Sequence, residues 1–479
     1  MASVARTQAR ATVRSRRIAP AVLAAALLLP LTACGGSADA SDSKSVTVTV
    51  GYQSKTINTV TAGTLLRSLG YFESALKAQG ARDGITYKVE WQDYATGAPI
   101  TAAMVAGKVD IGSMGDFPLL INASRGKQLG APTRLVSVTG YNARGALNTV
   151  VTAPDSDLKS LADLRGKKVS TSVGSAADGT LVRALEQAGL DPDKDIGKLN
   201  QQPAVGASAL EAGSVDALSQ FVAWPGLLAF QGKAKALYDG GSLGLPTLHG
   251  VTVRDAFADR RPAVVEAFLA AQIKATAYLD AHPVTAAEKV AEVTGLPAEV
   301  VYLYNGKGGI ATFDPTLKPQ LVAALKKDVP LLVSAKLAGP VNVSDFVDDS
   351  YLKKAYANGE GEGAGTGGGT GTGYAKAVAA TAPASRPEVW LKGASTTSTY
   401  ADPAALLRYV AAHSTAVRAA YVPDATTGTR WFADKSVWAQ DGTDLEPFVT
   451  EAAADAWTAA HPGARIVSYA TALRQAAAK

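Results

Sequence analysis

The sequence predicts an α/β protein that is followed by a second, smaller folded unit. Its 479 residues are enough for two or three domains, and 47% of them are hydrophobic, which is enough to build cores. Short β-branched runs alternate with helical segments from residue 45 to about 243, and this rhythm is typical of a strand–helix–strand sheet. From residue 251 the pattern changes to long amphipathic helices, which continue to about residue 356.

The individual elements follow from local patterns. Alternating β-branched residues predict the strands, and periodic apolar residues between glycine or proline predict the helices. The predicted strands are 46–50, 86–91, 109–112 and 168–172. The predicted helices are 62–78 with a break near Gly70, 99–106, 176–188, 262–281 and 283–293, and the segment 158–164 opens a second α/β unit.

A glycine-rich linker is the clearest boundary in the chain. Residues 358–373 read NGEGEGAGTGGGTGTG, in which nine of sixteen residues are glycine. Such a segment cannot bury a core, and as a random coil it would span roughly 20–25 Å. The linker is assigned to 358–386, and residues 387–479 are predicted to form a separate small α/β module. That module holds four of the six tryptophans: Trp390, Trp431, Trp438 and Trp457.

The N-terminal segment resembles a bacterial lipoprotein signal. Five arginines within the first 17 residues precede an apolar stretch at 18–31 and the sequence LTACG, whose cysteine is Cys34. The apolar stretch is shorter than the ~20 residues that a membrane-spanning helix needs. We therefore expect a signal peptide at 1–33, lipidation of Cys34 and a tether at 34–44; plain secretion and a spanning helix are the alternatives. Cys34 is the only cysteine, so no disulfide can form within the chain.

Composition and motifs argue against nucleic-acid binding and against catalysis. The net charge is only +5, and the basic residues form no stripe or face. The four histidines, His249, His282, His413 and His461, occur in no metalloprotease, hydrolase or P-loop pattern. We therefore predict neither an enzyme nor a cofactor, and no metal site.

Two predicted helices begin directly after a strand. Gly115-Asp116-Phe117-Pro118 follows the third strand, and Gly174-Ser175 with Asp178 follows the strand at 168–172. Glycine allows the chain to turn sharply, and the free N–H groups of a first helical turn attract anions. Crevices beyond the carboxyl ends of strands are where open α/β sheets bind ligands. The alternative is that both are simply well-capped helices.

At this point a set of ordered segments resembles the aliphatic-sulfonate, taurine and nitrate family of solute-binding proteins. The segments are VTVGYQ, GYFESAL, AAMVAGKVDIGSMGDFPLL, SLADLRGKKVSTSVGSAADGTLVRALEQAGL and EAGSVDALSQFVAWPG. The resemblance covers about 45–356 and implies a two-lobed type II periplasmic binding protein fold that closes by a hinge. It implies lobe 1 at 45–138 and 251–357 and lobe 2 at 139–250. It also implies a small anionic solute and the permease of an ATP-binding-cassette importer as partners, and we expect a monomer.

The resemblance also implies which residues line the ligand cleft. They are Gln53, Ser54, Gly115, Asp116, Phe117, Gly174, Ser175, Ala176, Asp178 and Trp224. Asp178 departs from the family pattern: it either only caps its helix or faces a ligand that carries an amine. Tyr141 and Arg144 lie in another atypical stretch, where Arg144 is either a fixed positive charge or an ordinary surface residue.

The last module contains the segments LLRYVAAH, AAYVPDATTGTRWFADKSVWA and FVTEAAADAWTAAHPGARIVSY. Together they are similar to a NosL-type domain, known from copper-binding accessory lipoproteins. The similarity covers most of 402–470, but the module contains no Cys and no Met, the soft ligands that Cu(I) prefers. We therefore expect the fold without copper binding. Three functions stay open: a sulfonate or taurine receptor, a nitrate or thiamine-pyrimidine-precursor receptor, and a metal-handling protein.

Overall fold

The computed structural model describes residues 44–358 and 372–478. The predicted signal peptide and Cys34 lie outside these residues, as do residues 359–371 of the glycine-rich linker. Two sheets form the larger part of the described chain, and the helices pack on their faces.

Lobe 1 is built on a sheet whose strand order is β11-β4-β10-β3-β1-β2. β1 is parallel to β2 and β3, whereas β10 is antiparallel to β3 and β4. Its elements before lobe 2 are Lys44–Tyr52 (β1), Thr64–Leu69 (α1), Tyr71–Asp83 (α2), Ile85–Asp93 (β2), Gly97–Val105 (α3), Ile111–Gly115 (β3), Asp116–Gln128 (α4) and Thr133–Asn142 (β4).

Lobe 2 follows, with the strand order β7-β6-β8-β5-β9. β6 is parallel to β7 and β8, and β5 runs antiparallel to β8 and β9. Its elements are Asn148–Thr152 (β5), Lys168–Thr171 (β6), Ala176–Gln187 (α5), Gly197–Asn200 (β7), Pro203–Glu211 (α6), Ala217–Phe221 (β8), Trp224–Phe230 (α7) and Lys235–Asp239 (β9).

The chain then returns to lobe 1 and completes it mainly with helices. The elements are Thr247–Arg254 (β10), Asp255–Arg260 (α8), Pro262–Ala281 (α9), Pro283–Thr294 (α10), Ala298–Asn305 (α11), Thr312–Phe313 (β11), Pro319–Ser334 (α12), Val343–Phe346 (α13) and Ser350–Ala357 (α14). None of the helices in the described ranges is both long and apolar enough to span a bilayer.

The two crossings between the sheets determine which edges face each other. The chain leaves lobe 1 at the end of β4 and enters lobe 2 at the start of β5; it returns from the end of β9 to the start of β10. These ends lie at the carboxyl edges of the parallel strands in both sheets, because β5 and β10 run antiparallel to their neighbours. The crossings are at 143–147 and 240–246, whereas the sequence placed them at 138–139 and 250–251. The predicted domain limits themselves stay a prediction.

Local chemistry explains where predicted elements differ from the observed ones. Gly70 has φ 64° and separates α1 from α2, which is the predicted break. The segment 158–164, which opens the second α/β unit, contains a 3-10 turn, Leu161–Leu164. Ser160 and Asp163 form a capping box there, and residues 153–160 before it form turns and irregular chain.

The C-terminal module, residues 388–478, has two small sheets with the strand orders β13-β12-β14-β15 and β17-β16-β18. A helix, Thr372–Ala379 (α15), precedes the module. The elements of the module are Glu388–Leu391 (β12), Thr397–Thr399 (β13), Pro403–Ala412 (α16), Val417–Pro423 (β14), Arg430–Phe432 (β15), Val437–Asp441 (β16), Asp444–Phe448 (β17), Glu451–Ala460 (α17), Arg465–Val467 (β18) and Tyr469–Ala477 (α18).

The C-terminal module does not stand apart from the two lobes. Trp390 and Tyr421 pack on Tyr302 of α11 in lobe 1, with ring centroids 5.3 and 5.6 Å away. Phe432 packs on Phe230 of α7 in lobe 2, at 5.4 Å. Polar contacts accompany both surfaces: Arg418 pairs with Glu288 and Glu299, Lys235 pairs with Glu451, and Thr427 donates to Asp239. The module therefore contacts both lobes, and its aromatic side chains belong to the same hydrophobic cluster as residues of the lobes.

Candidate functional site

Buried polar side chains gather at the two facing sheet edges. In lobe 1 they are Ser113, Thr139 and Thr247; in lobe 2 they are Asn148, Thr171 and Gln220. Each is at most 8% exposed, and each keeps one side-chain oxygen without a hydrogen-bond partner among the described residues. Burying an unpaired polar group costs free energy, so such groups at an edge between lobes indicate a place for a polar ligand or water.

The start of α4 carries its own anion. The Oδ1 atom of Asp116 accepts from the Phe117 N–H at 2.8 Å, and Oδ2 accepts from the Leu248 N–H at 3.2 Å. Burial raises the pKa of this carboxyl group above its ordinary value, and these hydrogen bonds oppose that shift. The Asp116 side chain therefore already fills the position that a bound anion would take at this helix.

A buried histidine supports the same corner of lobe 1. His249 of β10 lies opposite Gly115, and a Cβ atom on that glycine would be 3.1 Å from the histidine Nε2. Asn58 donates through Nδ2 to His249 Nδ1 at 2.5 Å. Burial lowers the pKa of His249 to about 3, so its ring is neutral at physiological pH. The sequence offered His249 only as an isolated histidine, and its pairing with Asn58 joins residues 191 positions apart.

The start of α5 is arranged differently, because its first N–H groups stay available. Ser175 Oγ accepts from the Asp178 N–H at 3.3 Å, and Asp178 Oδ2 accepts from the Gly174 N–H at 2.9 Å. The N–H groups of Ala176 and Ala177 have no acceptor among the described residues, and none of these accepts the Ser175 hydroxyl proton. A helix start with free donors is a site where anions bind.

Asp178 acts as a capping residue in this arrangement. Its side chain is buried, and burial raises its pKa above the ordinary value. Lys198 Nζ lies 3.7 Å from Oδ1, so the second oxygen faces a cation of the same lobe. The Oδ1 atom has no hydrogen-bond partner among the described residues, so Asp178 caps its own helix through Oδ2, and a ligand role for it stays a prediction.

The two helix starts touch each other through Phe117 and Gly179. A Cβ atom on Gly179 would lie 2.1 Å from Phe117 Cζ, so the aromatic ring rests directly on the α5 backbone. Arg183 of α5 reaches back and pairs with Asp328 of α12, with Nη2 and Oδ1 2.7 Å apart. Burial and the nearby Asp116 raise the pKa of Asp328, and the Arg183 guanidinium opposes the shift. The lobes are therefore in direct contact beside the α5 start.

Polar side chains of lobe 2 make hydrogen bonds around the start of α5. Asn148 donates to Thr180 Oγ1 at 2.9 Å, Gln220 donates to Ser172 Oγ at 3.2 Å, and Ser219 donates to the Ala177 carbonyl at 3.0 Å. These bonds hold the strand ends against α5. Sequence reasoning did not select them, although the polar pair Ser219-Gln220 between apolar residues of one strand, and Thr171-Ser172 at the end of another, were usable signals.

Two predicted ligand residues follow β1 and make internal contacts. Gln53 is buried and donates through Nε2 to the Ser113 carbonyl at 3.1 Å, which ties it to the polar edge of lobe 1. Ser54 donates to Asp93 at 2.6 Å, at an exposed turn. Gln53 therefore lies at the candidate site, whereas Ser54 contacts the end of β2; a ligand role for either stays a prediction.

The structure does not bring the remaining three candidates to the α5 start. Trp224 begins α7, where it packs on the apolar cluster that contains Leu210 and Leu218 within lobe 2. Tyr141 is buried and lines a separate cavity next to α9. The Arg144 side chain is exposed, between the two lobes. Their ligand roles are thus predictions that the observed contacts do not favour.

The histidines of the C-terminal module are engaged at helix ends. The His413 ring stacks on the Tyr409 ring, and its Nδ1 lies 2.9 Å from the Tyr409 carbonyl oxygen. The His461 ring stacks on Trp457 in the same way, with its Nδ1 2.8 Å from the Trp457 carbonyl oxygen. Within residues 44–358 and 372–478, no cluster of three or more His, Cys, Asp or Glu side chains is placed to hold a metal ion.

Comparison with solved structures establishes the class of fold. The alkanesulfonate-binding protein SsuA from Xanthomonas axonopodis pv. citri, solved with MOPS, superposes with a TM-score of 0.53 at 24% identity. The match covers 63% of this chain and 98% of that one. The aliphatic sulphonate binding protein SsuA from Escherichia coli gives 0.51 at 25% identity, over 63% and 92% of the two chains. The two sheets therefore form the two-lobed fold of periplasmic binding proteins, as predicted.

Sequence relatives share that class. A family model described as NMT1/THI5 like matches residues 81–286. The taurine-binding periplasmic protein of E. coli is 28% identical over 56% of this chain and 77% of its own length. Proteins of E. coli and Bacillus subtilis that carry the provisional name aliphatic sulfonates-binding protein are 29% and 26% identical. The match spans 66% of the first relative and 96% of the second. The similarity to a NosL-type domain stays a prediction.

Proposed function

We propose that this protein is the extracytoplasmic receptor of an ATP-binding-cassette importer and that it captures a small organic anion, an aliphatic sulfonate or taurine. The fold, the polar edges between the lobes and the names of the sequence relatives all support this proposal. In this mechanism the solute binds between the lobes, the lobes close about the two crossings, and the closed form is presented to the permease.

The free donors at the start of α5 carry the proposal. A sulfonate group has three oxygen acceptors and a negative charge, and the Ala176 and Ala177 N–H groups with the Ser175 hydroxyl offer three donors at the positive end of a helix dipole. Asp178 Oδ2 accepts from the Gly174 N–H, and Lys198 at 3.7 Å balances the charge of Oδ1, which has no hydrogen-bond partner among the described residues; an amine on the ligand is therefore not required. Alkanesulfonates without an amine are therefore expected to bind as well as taurine does.

Calorimetric titration of the chain carrying Cys34→Ala tests the solute class. We expect ethanesulfonate and taurine to bind with one site per chain, and nitrate to bind more weakly because it lacks the carbon portion. If nitrate alone bound, or if neither sulfonate did, the proposal would be wrong.

A second candidate is a thiamine-pyrimidine precursor as the solute. It is supported by a relative in Haemophilus influenzae with the provisional name thiamine biosynthesis protein, which is 37% identical over 29% of this chain and 44% of its own length. The same titration with an aminopyrimidine precursor separates the two, because a neutral pyrimidine gains little from the start of α5.

We also propose that Cys34 anchors the mature chain to the outer face of the membrane. Cys34→Ala should release the folded protein into the medium. Retention of this variant in the membrane fraction would instead mean that the apolar stretch at 18–31 is the anchor.

A further inference from the structure

A cavity of about 480 Å³ lies in lobe 1, away from the start of α5. Its walls come from the end of α9, the loop after α11 and the segment that follows α15. The side chains that matter here are Tyr141, Asp280, Asn305, Phe313, Asp314 and Tyr356. The volume suffices for a small organic molecule.

The roof of this cavity is held in place by a buried lysine. Lys318 is only 2% exposed, and its Nζ donates to the carbonyls of Ala377, Val378 and Ala380 at 2.6–3.0 Å. The same ammonium group pairs with Asp314 at 2.8 Å, and Asp314 also accepts from the Thr316 N–H and hydroxyl. The charge of Asp314 is therefore balanced, and α15 forms a fixed wall.

Asp280 is the carboxylate in this cavity that no described cation pairs with. The residue is solvent-exposed and makes no hydrogen bond and no ion pair with any described residue; Lys307, which also lines the cavity, is not within ion-pair distance of it. Partial desolvation by the surrounding protein and the nearby Asp314 raise the pKa of Asp280 to about 6, so it is mainly ionised at pH 7. It also stands at the C-terminal end of α9, where the helix dipole adds negative potential.

A second acceptor without a donor belongs to Asn305. This side chain is 3% exposed and lines the cavity. Its Nδ2 donates to the Ile57 carbonyl at 2.9 Å, which fixes the amide orientation, and its Oδ1 has no partner among the described residues. The Asn305 oxygen is thus a buried acceptor that a hydrogen-bond donor on a ligand would satisfy, and Asp280 adds a negative charge on the same cavity wall.

The walls favour a ligand that also has carbon atoms. Tyr141, Phe313 and Tyr356 contribute aromatic surface, and the Tyr141 hydroxyl makes no hydrogen bond with described residues. Aromatic faces attract ammonium groups through their quadrupoles, in addition to apolar contact. A donor with a positive charge and an alkyl portion satisfies all of these groups together.

We propose that this cavity is a second binding site, for a small organic ammonium ion whose charged group meets Asp280 and whose alkyl part contacts the aromatic wall. It is independent of the solute at α5, since none of its lining residues belongs to that helix.

Titration of the chain with n-butylammonium, followed by calorimetry, tests this site; n-butanol serves as the neutral probe. We expect one ammonium ion per chain and no binding of the alcohol. Asp280→Asn should reduce the affinity about ten- to hundredfold, the value of a charge-assisted hydrogen bond. Ala277→Leu keeps Asp280 but fills the cavity, so it should reduce the affinity as well.

Two matched controls separate this site from other effects. Asp155→Asn removes an exposed carboxylate that does not line the cavity, and Ser175→Ala alters the α5 start; neither should change ammonium binding. The proposal is overturned if n-butylammonium gives no saturable binding, if the alcohol binds equally well, or if Asp280→Asn binds like the unchanged chain.

Discussion

The starts of α4 and α5 look alike in sequence but differ in chemistry. Both follow a strand, both place glycine before the helix, and both have an acidic residue in the first turn. In α4 the acidic residue is Asp116 itself, the first residue, and its carboxylate accepts two N–H groups. In α5 the acidic residue is Asp178, which turns back to Gly174 and leaves the N–H groups of Ala176 and Ala177 open.

This difference shows that the position of the acidic residue within the first helical turn decides whether the helix start can bind an external anion. A carboxylate at the first helical position satisfies the donors from within, whereas one at the third position closes the turn from the side. We therefore propose anion binding at α5 and a structural role for Asp116 at α4. The sequence offered both helix starts as anion sites; the contacts at α4 do not favour that role there, because the Asp116 carboxylate occupies the α4 start.

The largest effect is expected from Gly179→Leu, which attacks the contact between the two helices. Its Cβ atom alone would lie 2.1 Å from Phe117 Cζ, so the ring must leave and the lobes cannot close. Solute affinity should fall by more than about a hundredfold in calorimetry. Gly197→Ala is the matched control, since a Cβ atom there meets only ordinary contacts of 3.6 Å and more.

The double variant Phe117→Ala with Gly179→Ala sharpens this test. Removing the ring makes room for the new methyl group, so the double variant should bind more tightly than Gly179→Ala alone. Equal affinity of the two would mean that Phe117 is not what the larger side chain displaces.

Arg183→Met should give the next largest effect, because it leaves Asp328 buried without its partner. We expect a loss of up to about 3 kcal/mol in the free energy of unfolding, less than for a fully buried pair because Arg183 is partly exposed. Arg165→Met is the control: its pair with Asp195 is mostly exposed and should cost less than about 1 kcal/mol. Similar losses for both variants in urea denaturation would contradict a special role for the pair between the lobes.

His249 predicts how the α4 corner responds to pH. Its folded-state pKa of about 3 lies below the ordinary 6.5, so protons bind the unfolded chain preferentially as the pH falls. Stability is fully present above pH 6.5 and declines below it, by about 2 kcal/mol at pH 5. His249→Gln should flatten the fall of the melting temperature between pH 6.5 and 4, whereas His413→Gln, at an exposed position, should not. An unchanged slope in the first variant would exclude His249 as the cause.

Asp116→Asn should have the smallest effect on the solute. The amide keeps an oxygen acceptor for Phe117 or Leu248, so the helix start survives, and solute affinity should stay within about twofold. Since the folded-state pKa of Asp116 is raised, its protonated form stabilises the fold at low pH and that contribution is lost as the pH rises through the folded pKa. The variant should therefore be less sensitive to pH above 4. A large loss of affinity would mean that α4 binds the solute after all.

Residues close in sequence explain what could be predicted. The break at Gly70, the cap formed by Ser175 and Asp178, and the helices Pro262–Ala281 and Pro283–Thr294 all depend on neighbouring residues. The resemblance to a known family supplied the two lobes, which local patterns do not contain.

Contacts over long sequence distances explain what could not be predicted. Phe117 meets Gly179, Asn58 meets His249, and Tyr302 meets the aromatic residues of the C-terminal module. A tryptophan such as Trp224 fits a ligand cleft and a lobe core equally well by composition, and only packing decides between them. The C-terminal module gives a second example. The glycine-rich linker predicted a module separate from the lobes, whereas the aromatic side chains of that module pack on both lobes.

Calorimetric titration of ethanesulfonate into Ser175→Ala and Ser160→Ala tests the central claim most directly. Both serines begin a helical turn in lobe 2 and pair with an acidic residue three positions later, so both variants lose a cap worth about 1 kcal/mol of stability. Only Ser175 is proposed to donate to the solute, and its loss should weaken binding about ten- to hundredfold while Ser160→Ala binds normally. Unchanged affinity in Ser175→Ala would contradict the assignment of the anion site to α5.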